Sequence, residues 1–292
     1  WTYRLPEASV MSFNPKLTQK LAWGFIWAAG IITVLVLLFI IGYVLTKGIP
    51  AISREFLFTE PQGGLSGEGG ISSCVVSTLW LIATTMVILT PLGIGAAIYL
   101  AEYAPDNRFT HLIRYSVELL AGVPSIVFGL FGFAVFVLAL HFSYSILAGA
   151  LTLVCLLLPF LMRSTEEAMK AVPQSQREAA LALGATKWQT ITHVSLPSAL
   201  PGIITGVILC IGGVVAESAC LYVTMGGSSG MPTSFLSGGR TLAVHVFYLA
   251  METNALDKAL ATGTVLIILI LIINFITRWL SLRFQAKLRG ET

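Results

Sequence analysis

A lone carboxylate stands inside an apolar run, Gly212-Gly213-Val214-Val215-Ala216-Glu217-Ser218. A charged side chain at bilayer depth costs about 2.5–3.5 kcal/mol on insertion scales, so Glu217 must face a protein interior or a path. It either pairs with a basic residue of another chain or donates a hydrogen bond as the neutral acid. Arg163 ends a second apolar run, in Leu161-Met162-Arg163-Ser164-Thr165-Glu166-Glu167. Its planar fork suits an oxyanion or one of the nearby carboxylates equally well. Ser125 follows the Gly122-Val123-Pro124 interruption, where a hydroxyl and a helix start can meet an anion or simply pack. The most specific pattern is Glu178-Ala179-Ala180, three residues, Gly184, nine residues, then Val194-Ser195-Leu196-Pro197. A helix of small side chains can enter a groove on another protein at close range. Gly184 permits a turn that a side chain would hinder, and Arg177 and Glu178 are placed for polar contacts at the rim.

Other chemistries find little support. Cys74, Cys155, Cys210 and Cys220 have no CxxC spacing and imply neither a disulfide framework nor a metal site. His193 and His245 lack a second ligand at metal spacing. Glu118, six residues before Pro124, reads as a helix-end carboxylate. No GxxxxGK[ST] phosphate loop occurs, so an ATPase is not visible in this sequence and no cofactor is expected on it.

The elements that must position these residues are membrane spans. Of 292 residues 56% are hydrophobic and 11% charged, against roughly a quarter charged in soluble domains. That excludes a soluble enzyme or a secreted disulfide scaffold, and a net charge of +3 gives no reason to expect nucleic acid. Six apolar runs approach the ~20 residues a spanning helix needs: 21–45, 73–100, 114–140, 143–162, 200–225 and 259–282. Pro91-Leu92-Gly93 and Gly122-Val123-Pro124 are expected to break the second and third. Of the 17 Lys and Arg, all but Lys47, Arg54, Arg240 and Lys258 fall on one side of these spans, which places both termini in the cytoplasm. Residues 1–20 then form a cytoplasmic segment, of which 1–10, ahead of Met11, read as an upstream start or an appended remnant. Residues 21–46 are the first span, 72–284 the core with a cytoplasmic loop at 164–198, and 285–292 the tail. Within the loop, Gly184 separates two short amphipathic helices, and Leu196-Pro197 is expected to stop the second. No internal repeat is apparent, which disfavours an inverted-repeat transporter.

The spaced loop pattern resembles the EAA signature of ABC importer permeases, with Val194 for the usual isoleucine. Thr90-Pro91-Leu92-Gly93-Ile94, Ala97-Ile98-Tyr99-Leu100-Ala101-Glu102-Tyr103 and Pro124-Ser125-Ile126-Val127-Phe128-Gly129-Leu130-Phe131 resemble segments of phosphate importer permeases. Phe56-Leu57-Phe58-Thr59-Glu60-Pro61 and Gly239-Arg240-Thr241-Leu242-Ala243-Val244-His245 are similar to their PstA-type branch. The resemblance implies an all-α, six-helix type I importer permease fold (MetI-like) in a bacterial inner membrane. It further implies a related PstC-like permease as heterodimer partner, a PstB-like ATPase dimer that binds the ATP, and a PstS-like extracytoplasmic phosphate-binding protein. Arg177, Glu178, Ala179, Ala180, Gly184, Lys187, Leu196 and Pro197 would then couple to the ATPase, while Glu217, Arg163 and Ser125 would lie on the substrate path. The family usually carries an Arg four residues before the glutamate; here that position is Gly213. Arg240 is expected as a solvated loop charge, the alternatives being a contact with the binding protein or a pair with Glu252. Alternative readings are another oxyanion (phosphite, phosphonate, sulfate or molybdate), a stand-alone channel or carrier, and a phosphate-sensing membrane subunit.

Overall fold

The computed structural model describes residues 15–62, 67–253 and 255–289; the readings for 1–14 and the end of the tail lie outside them. The chain divides into Trp1–Thr46 and Lys47–Thr292. The first unit contributes most of α1 (Pro15–Gly48), which is apolar around its circumference, as a membrane span should be.

In the second unit a 3₁₀ turn (Ile49–Ala51) and α2 (Arg54–Phe58) lead to α3 (Ser72–Ile98). α3 runs through Pro91 without a break and ends in a π turn at Tyr99–Tyr103. Neighbouring helices in a membrane supply the support that a proline-bearing helix needs, so the break expected at Pro91 is absent. The break at Gly122-Val123-Pro124 is real and larger than foreseen. α4 (Arg108–Ala121) and α5 (Ser125–Gly132, extended by a π segment Phe133–Ala139) meet at 103°, so residues 114–140 are not one straight span. Pro124 has no N–H for a helical bond and drives the residue before it out of the α region. α4 is amphipathic, which suits it to a surface or interface.

α6 (Ile146–Lys170) is the central helix, and α7 (Gln174–Ala182) and α8 (Lys187–Thr190) follow it. A π segment (Ile191–Ser195) joins α8 directly to α9 (Leu196–Ala216), so Leu196-Pro197 does not stop the helix. Pro197 falls in the first turn after the π widening, where a missing N–H is tolerated. The expected fifth span therefore starts earlier, and it ends earlier too. Glu217 is extended (φ −73°, ψ 131°), and the chain restarts as α10 (Ala219–Thr224). α11 (Leu242–Met251) and α12 (Leu256–Arg289) complete the order. Among the described residues five helices are long and apolar enough to cross a membrane, six if the bent pair counts as one.

The core is shared by α3, α6, α9, α10 and α11, through Leu81, Ile146, Leu153, Val214, Leu221 and Val244. Where α9 crosses α6, Gly202 and Gly206 face Ala168 and Ser164. A Cβ at either glycine would stand 2.7 Å from Ala168 Cβ or 2.6 Å from Ser164 Oγ. Helices in lipid gain little from hydrophobic contrast, and small residues one turn apart let the backbones pack closely instead.

Candidate coupling surface and substrate path

The segment 174–195 presents a hard corner at one end of the bundle. α7 ends in a Schellman arrangement, with Ala185 N donating to Ala180 O (3.1 Å) and Gly184 N to Leu181 O (2.9 Å). Gly184 holds φ +87°, a conformation that costs side-chain-bearing residues about 1–2 kcal/mol. Thr186 and Gln189 then close a reciprocal capping box that starts α8. Glu178, Ala179, Lys187 and Trp188 are exposed, Ala180 is half-buried, and Leu183 is 89% exposed at the corner. An exposed leucine and tryptophan flanking a glycine turn make an apolar knob with a charged rim, which is what docking into a groove requires.

Arg177 does something different from the rim contact expected of it. Its Nη1 pairs with Glu102 Oε1, and its Nη2 donates to Met169 O at 2.5 Å. Both side chains are largely covered, at 16% and 9% exposure. One guanidinium thus ties α7 to the end of α3 and the end of α6. Leu196 and Pro197 are half-buried as well. Leu196 packs on the cluster of Met169, Val172, Ile191, Ala199 and Ile203, so it serves inside the segment and not on its face. Glu102 carried no site role in the sequence reading. Its signal was Arg177 itself, a basic residue on a short helix with no carboxylate three or four positions away.

Arg163 pairs with Glu118 (3.0 Å) and Glu167 (3.2 Å), bridging α6 to α4. Beside it the buried Glu166 lies 2.7 Å from Lys170 Nζ and 3.0 Å from Arg114 Nε; both contacts are ionic, without an aligned N–H. These groups line a cavity of about 210 Å³ between α4 and α6. Three cations and three carboxylates balance there, so Arg163 is committed to the carboxylate alternative of its sequence reading.

Glu217 and Ser125 lie elsewhere. Glu217 is half-buried at the α9–α10 break, and its Oε1 accepts from Cys220 N at 3.1 Å, capping α10. The carboxylate is therefore not on a continuous helix with position 213. Gly213 sits one turn earlier, and a Cβ there would meet Leu157 Cδ2 at 3.1 Å. Ser125 opens α5 and is half-buried. α5 packs tightly on α10 through Gly129, where a Cβ would come within 2.7 Å of Val223. Ile126 and Ser218, the chain neighbours of Ser125 and Glu217, line one cavity of about 380 Å³.

At the end of α6 remote from α7, Arg240 is only 9% exposed, which overturns the solvated loop charge expected from the sequence. Its Nε and Nη2 donate to Gly227 O (3.1 and 2.6 Å), and its guanidinium lies 4.0 Å from the Tyr248 ring centre. Nη1 stands 3.4 Å from Nδ1 of the buried His245. Burial first, then the charges of Arg240 and Lys258, push the His245 imidazole down to about 4, so it is neutral near pH 7. Glu252 accepts instead from Tyr222 Oη at 2.8 Å. Among the described residues no cluster of His, Cys, Asp and Glu could hold a metal ion.

Residues 90–290 match the family of binding-protein-dependent transport system inner membrane components. This chain belongs to that permease family. It is 36% identical over 95% of its length to a probable ABC transporter permease protein, YqgI, of Bacillus subtilis, all of which is covered. It is 37% identical over 83% of its length to the phosphate transport system permease protein PstA of Yersinia pestis (82% covered). With PstA 1 of Mycobacterium tuberculosis the identity is 35% over 74% of this chain and 72% of that protein. Among solved structures, a chain of a bacterial alginate ABC transporter superposes with a TM-score of 0.65 at 16% identity, covering 92% of this chain and 98% of that one. A chain of the MetNI methionine transporter gives 0.52 at 19% identity, covering 75% and 94%. At such identities the likeness establishes the type I importer permease fold. The permease is thus a multi-pass membrane transport component and not itself an enzyme.

Proposed function

We infer that this permease is the PstA-type transmembrane subunit of an ATP-driven importer of inorganic phosphate. The observation that carries the reading is the identity of 33–37% to PstA proteins over most of their length in several bacteria. The exposed corner at Leu183 and Trp188 supports a separate ATPase as the source of work, since it offers a partner an apolar knob beside Glu178 and Lys187. A PstB-like ATPase dimer would dock there, and a PstC-like permease would complete the path. A PstS-like protein would deliver the anion at the opposite end, in a bacterial inner membrane. The chain neighbours of Glu217 and Ser125, Ser218 and Ile126, line the 380 Å³ cavity, which supports both residues for the path, whereas Arg163 is better placed to hold α4 against α6.

The test is ATP hydrolysis and uptake by the four-component complex in liposomes, with phosphate, sulfate, molybdate and phosphite presented in turn. Stimulation and uptake confined to phosphate is expected. Stimulation by a different anion moves the substrate assignment, and no stimulation by any of them, with the ATPase bound and active, removes the transport reading.

A further inference from the structure

Two cavities at the end of the bundle opposite the coupling corner share a wall. The outer, about 430 Å³, is lined by Tyr144, Gly227, Ser228, Arg240 and Tyr248, together with Tyr222 and Glu252. The inner, about 380 Å³, is lined by Ile126, Ser218 and Phe247, and again by Tyr222 and Glu252. The hydrogen bond from Tyr222 Oη to Glu252 Oε1, between two exposed side chains, therefore borders both spaces. Each cavity has room for a small hydrated ion, since a water occupies about 30 Å³ in the liquid.

We propose that Arg240, Tyr222 and Glu252 form a phosphate-selective subsite at the mouth of the path, reading the anion by its charge and by its P–OH group. The proposal rests on the phosphate-import reading and adds a site and a selectivity rule to it. Arg240 supplies the charge. Tyr248 beneath the guanidinium and the Gly227 carbonyl hold it in place, while Nη1 makes only the long 3.4 Å contact with His245. Nη1, the one guanidinium nitrogen not donating to Gly227 O, is the donor left for an oxyanion oxygen. Glu252 supplies the discrimination. A carboxylate facing an anion is repulsive unless the anion brings a proton, and phosphate near neutral pH retains at least one O–H. Sulfate retains none. Phosphate can replace Tyr222 Oη as the donor to Glu252; sulfate would leave two acceptors face to face. A site built to receive a particular hydrogen bond rejects an analogue lacking that donor far more strongly than size alone would allow.

The experiment uses the assembled permease pair with its ATPase in maltoside micelles, without nucleotide or binding protein, and inorganic phosphate as the probe. Broadening of the phosphate ³¹P resonance reports weak exchange with the complex, and sulfate is added as competitor. The wild-type complex should broaden the line saturably, with little reversal by equimolar sulfate. Arg240→Gln should weaken binding by about ten- to a hundredfold, the range of a charge-assisted hydrogen bond. Arg240→Lys should retain part of the effect. Glu252→Gln, whose amide can donate to sulfate, should let sulfate compete about as well as phosphate. Co-elution with the partner subunits marks each variant as folded. If Arg240→Gln does not assemble, Arg240→Lys and Glu252→Gln decide. Broadening that survives Arg240→Gln, or wild-type sulfate competition equal to that of phosphate, overturns the subsite. Phosphate uptake in the liposome assay together with no broadening by the wild-type complex would defeat this proposal alone. Uptake of a different anion there would defeat the reading beneath it.

Discussion

Removing the Arg177 guanidinium should uncouple the permease without unfolding it. α7 contributes no buried side chain, so apolar burial does little to hold it. What ties it down is Arg177, reaching Glu102 at the end of α3 and the Met169 carbonyl at the end of α6. Breaking one partner of a buried ion pair costs about 3–5 kcal/mol. The residual exposure of 16% and 9% lets water reach the orphaned carboxylate, so about 2–3 kcal/mol is the better figure for Arg177→Ala. That loss falls on the docking of a nine-residue helix and not on the bundle. At 1.4 kcal/mol per factor of ten, the undocked population should rise about 30- to 140-fold.

Two measurements check this in the reconstituted complex. Hydrogen exchange across 174–190 should accelerate in Arg177→Ala while α6 and α9 stay protected, because local opening is a separate equilibrium from global unfolding. Transport per ATP hydrolysed should fall, with basal hydrolysis persisting on the ATPase. Glu102→Gln should give the smaller defect, since its amide oxygen can still accept from the guanidinium. The double variant should be less than additive, as expected for two residues in one contact. Unchanged protection of 174–190 in Arg177→Ala, or additive losses, would refute the strut.

The packing of α9 on α6 predicts a loss of about 1–3 kcal/mol for Gly206→Leu or Gly202→Val, the usual cost of overpacking. Gly212→Ala, with nothing within 4 Å of the added Cβ, should be neutral or slightly stabilising; melting of the purified complex ranks the three. Glu217→Ala should cost about 1 kcal/mol through the lost α10 cap, whereas Glu217→Gln keeps an acceptor for Cys220 N–H. Equal transport defects in the two variants would show that the path uses the charge. His245 gives a pH dependence. Its folded value of about 4 lies below the ordinary 6.5, so the unfolded chain takes up its proton first as pH falls. Its contribution is fully present above about pH 6.5 and is lost towards pH 4, about 2 kcal/mol being gone at pH 5. The drop in melting temperature between pH 7 and pH 5 should shrink in His245→Gln; an equal drop in both proteins removes His245 as its source.

Features with a local signal are legible in the sequence. The spans follow from runs of apolar residues, and the corner at Gly184 follows from a glycine between two helix-forming stretches. The readings that failed depend on what neighbouring helices supply. Pro91 and Pro197 look like breaks in isolation, yet they are accommodated within continuous helices. The Glu217 break carries no proline or glycine of its own and is marked only by the carboxylate that caps the next helix. Arg177 and Arg240 looked exposed because their partners, Glu102 and the Gly227 carbonyl, are 75 and 13 residues away. A composition that is 11% charged makes each such pairing consequential, but spacing along the chain does not disclose which charges meet.

The failed stop at Leu196-Pro197 has a mechanical consequence. Because α8, the π segment and α9 are continuous, Lys187–Ala216 is one rod of 30 residues, about 45 Å long at 1.5 Å per residue. One end carries Trp188 at the coupling corner, and the other stops at Glu217 beside the inner cavity. A second rod, Ser72–Tyr103, ends at Glu102 and is held to the same corner by Arg177. Displacement of the corner by a partner therefore acts on both rods at one end. Packed helices transmit it as rigid-body tilt, since close-packed interiors deform little. The compliant points are the α9–α10 break and the 103° bend between α4 and α5. The first adjoins the inner cavity directly, and the second leads into α5, whose Ile126 lines the same space. A push at Leu183 and Trp188 should thus change the width of that cavity more than any other part of the chain. Cysteine pairs placed across it, at Ile126 and Phe247, should cross-link at different rates in the nucleotide-bound and nucleotide-free complex. Identical rates would mean that the two rods do not carry the motion.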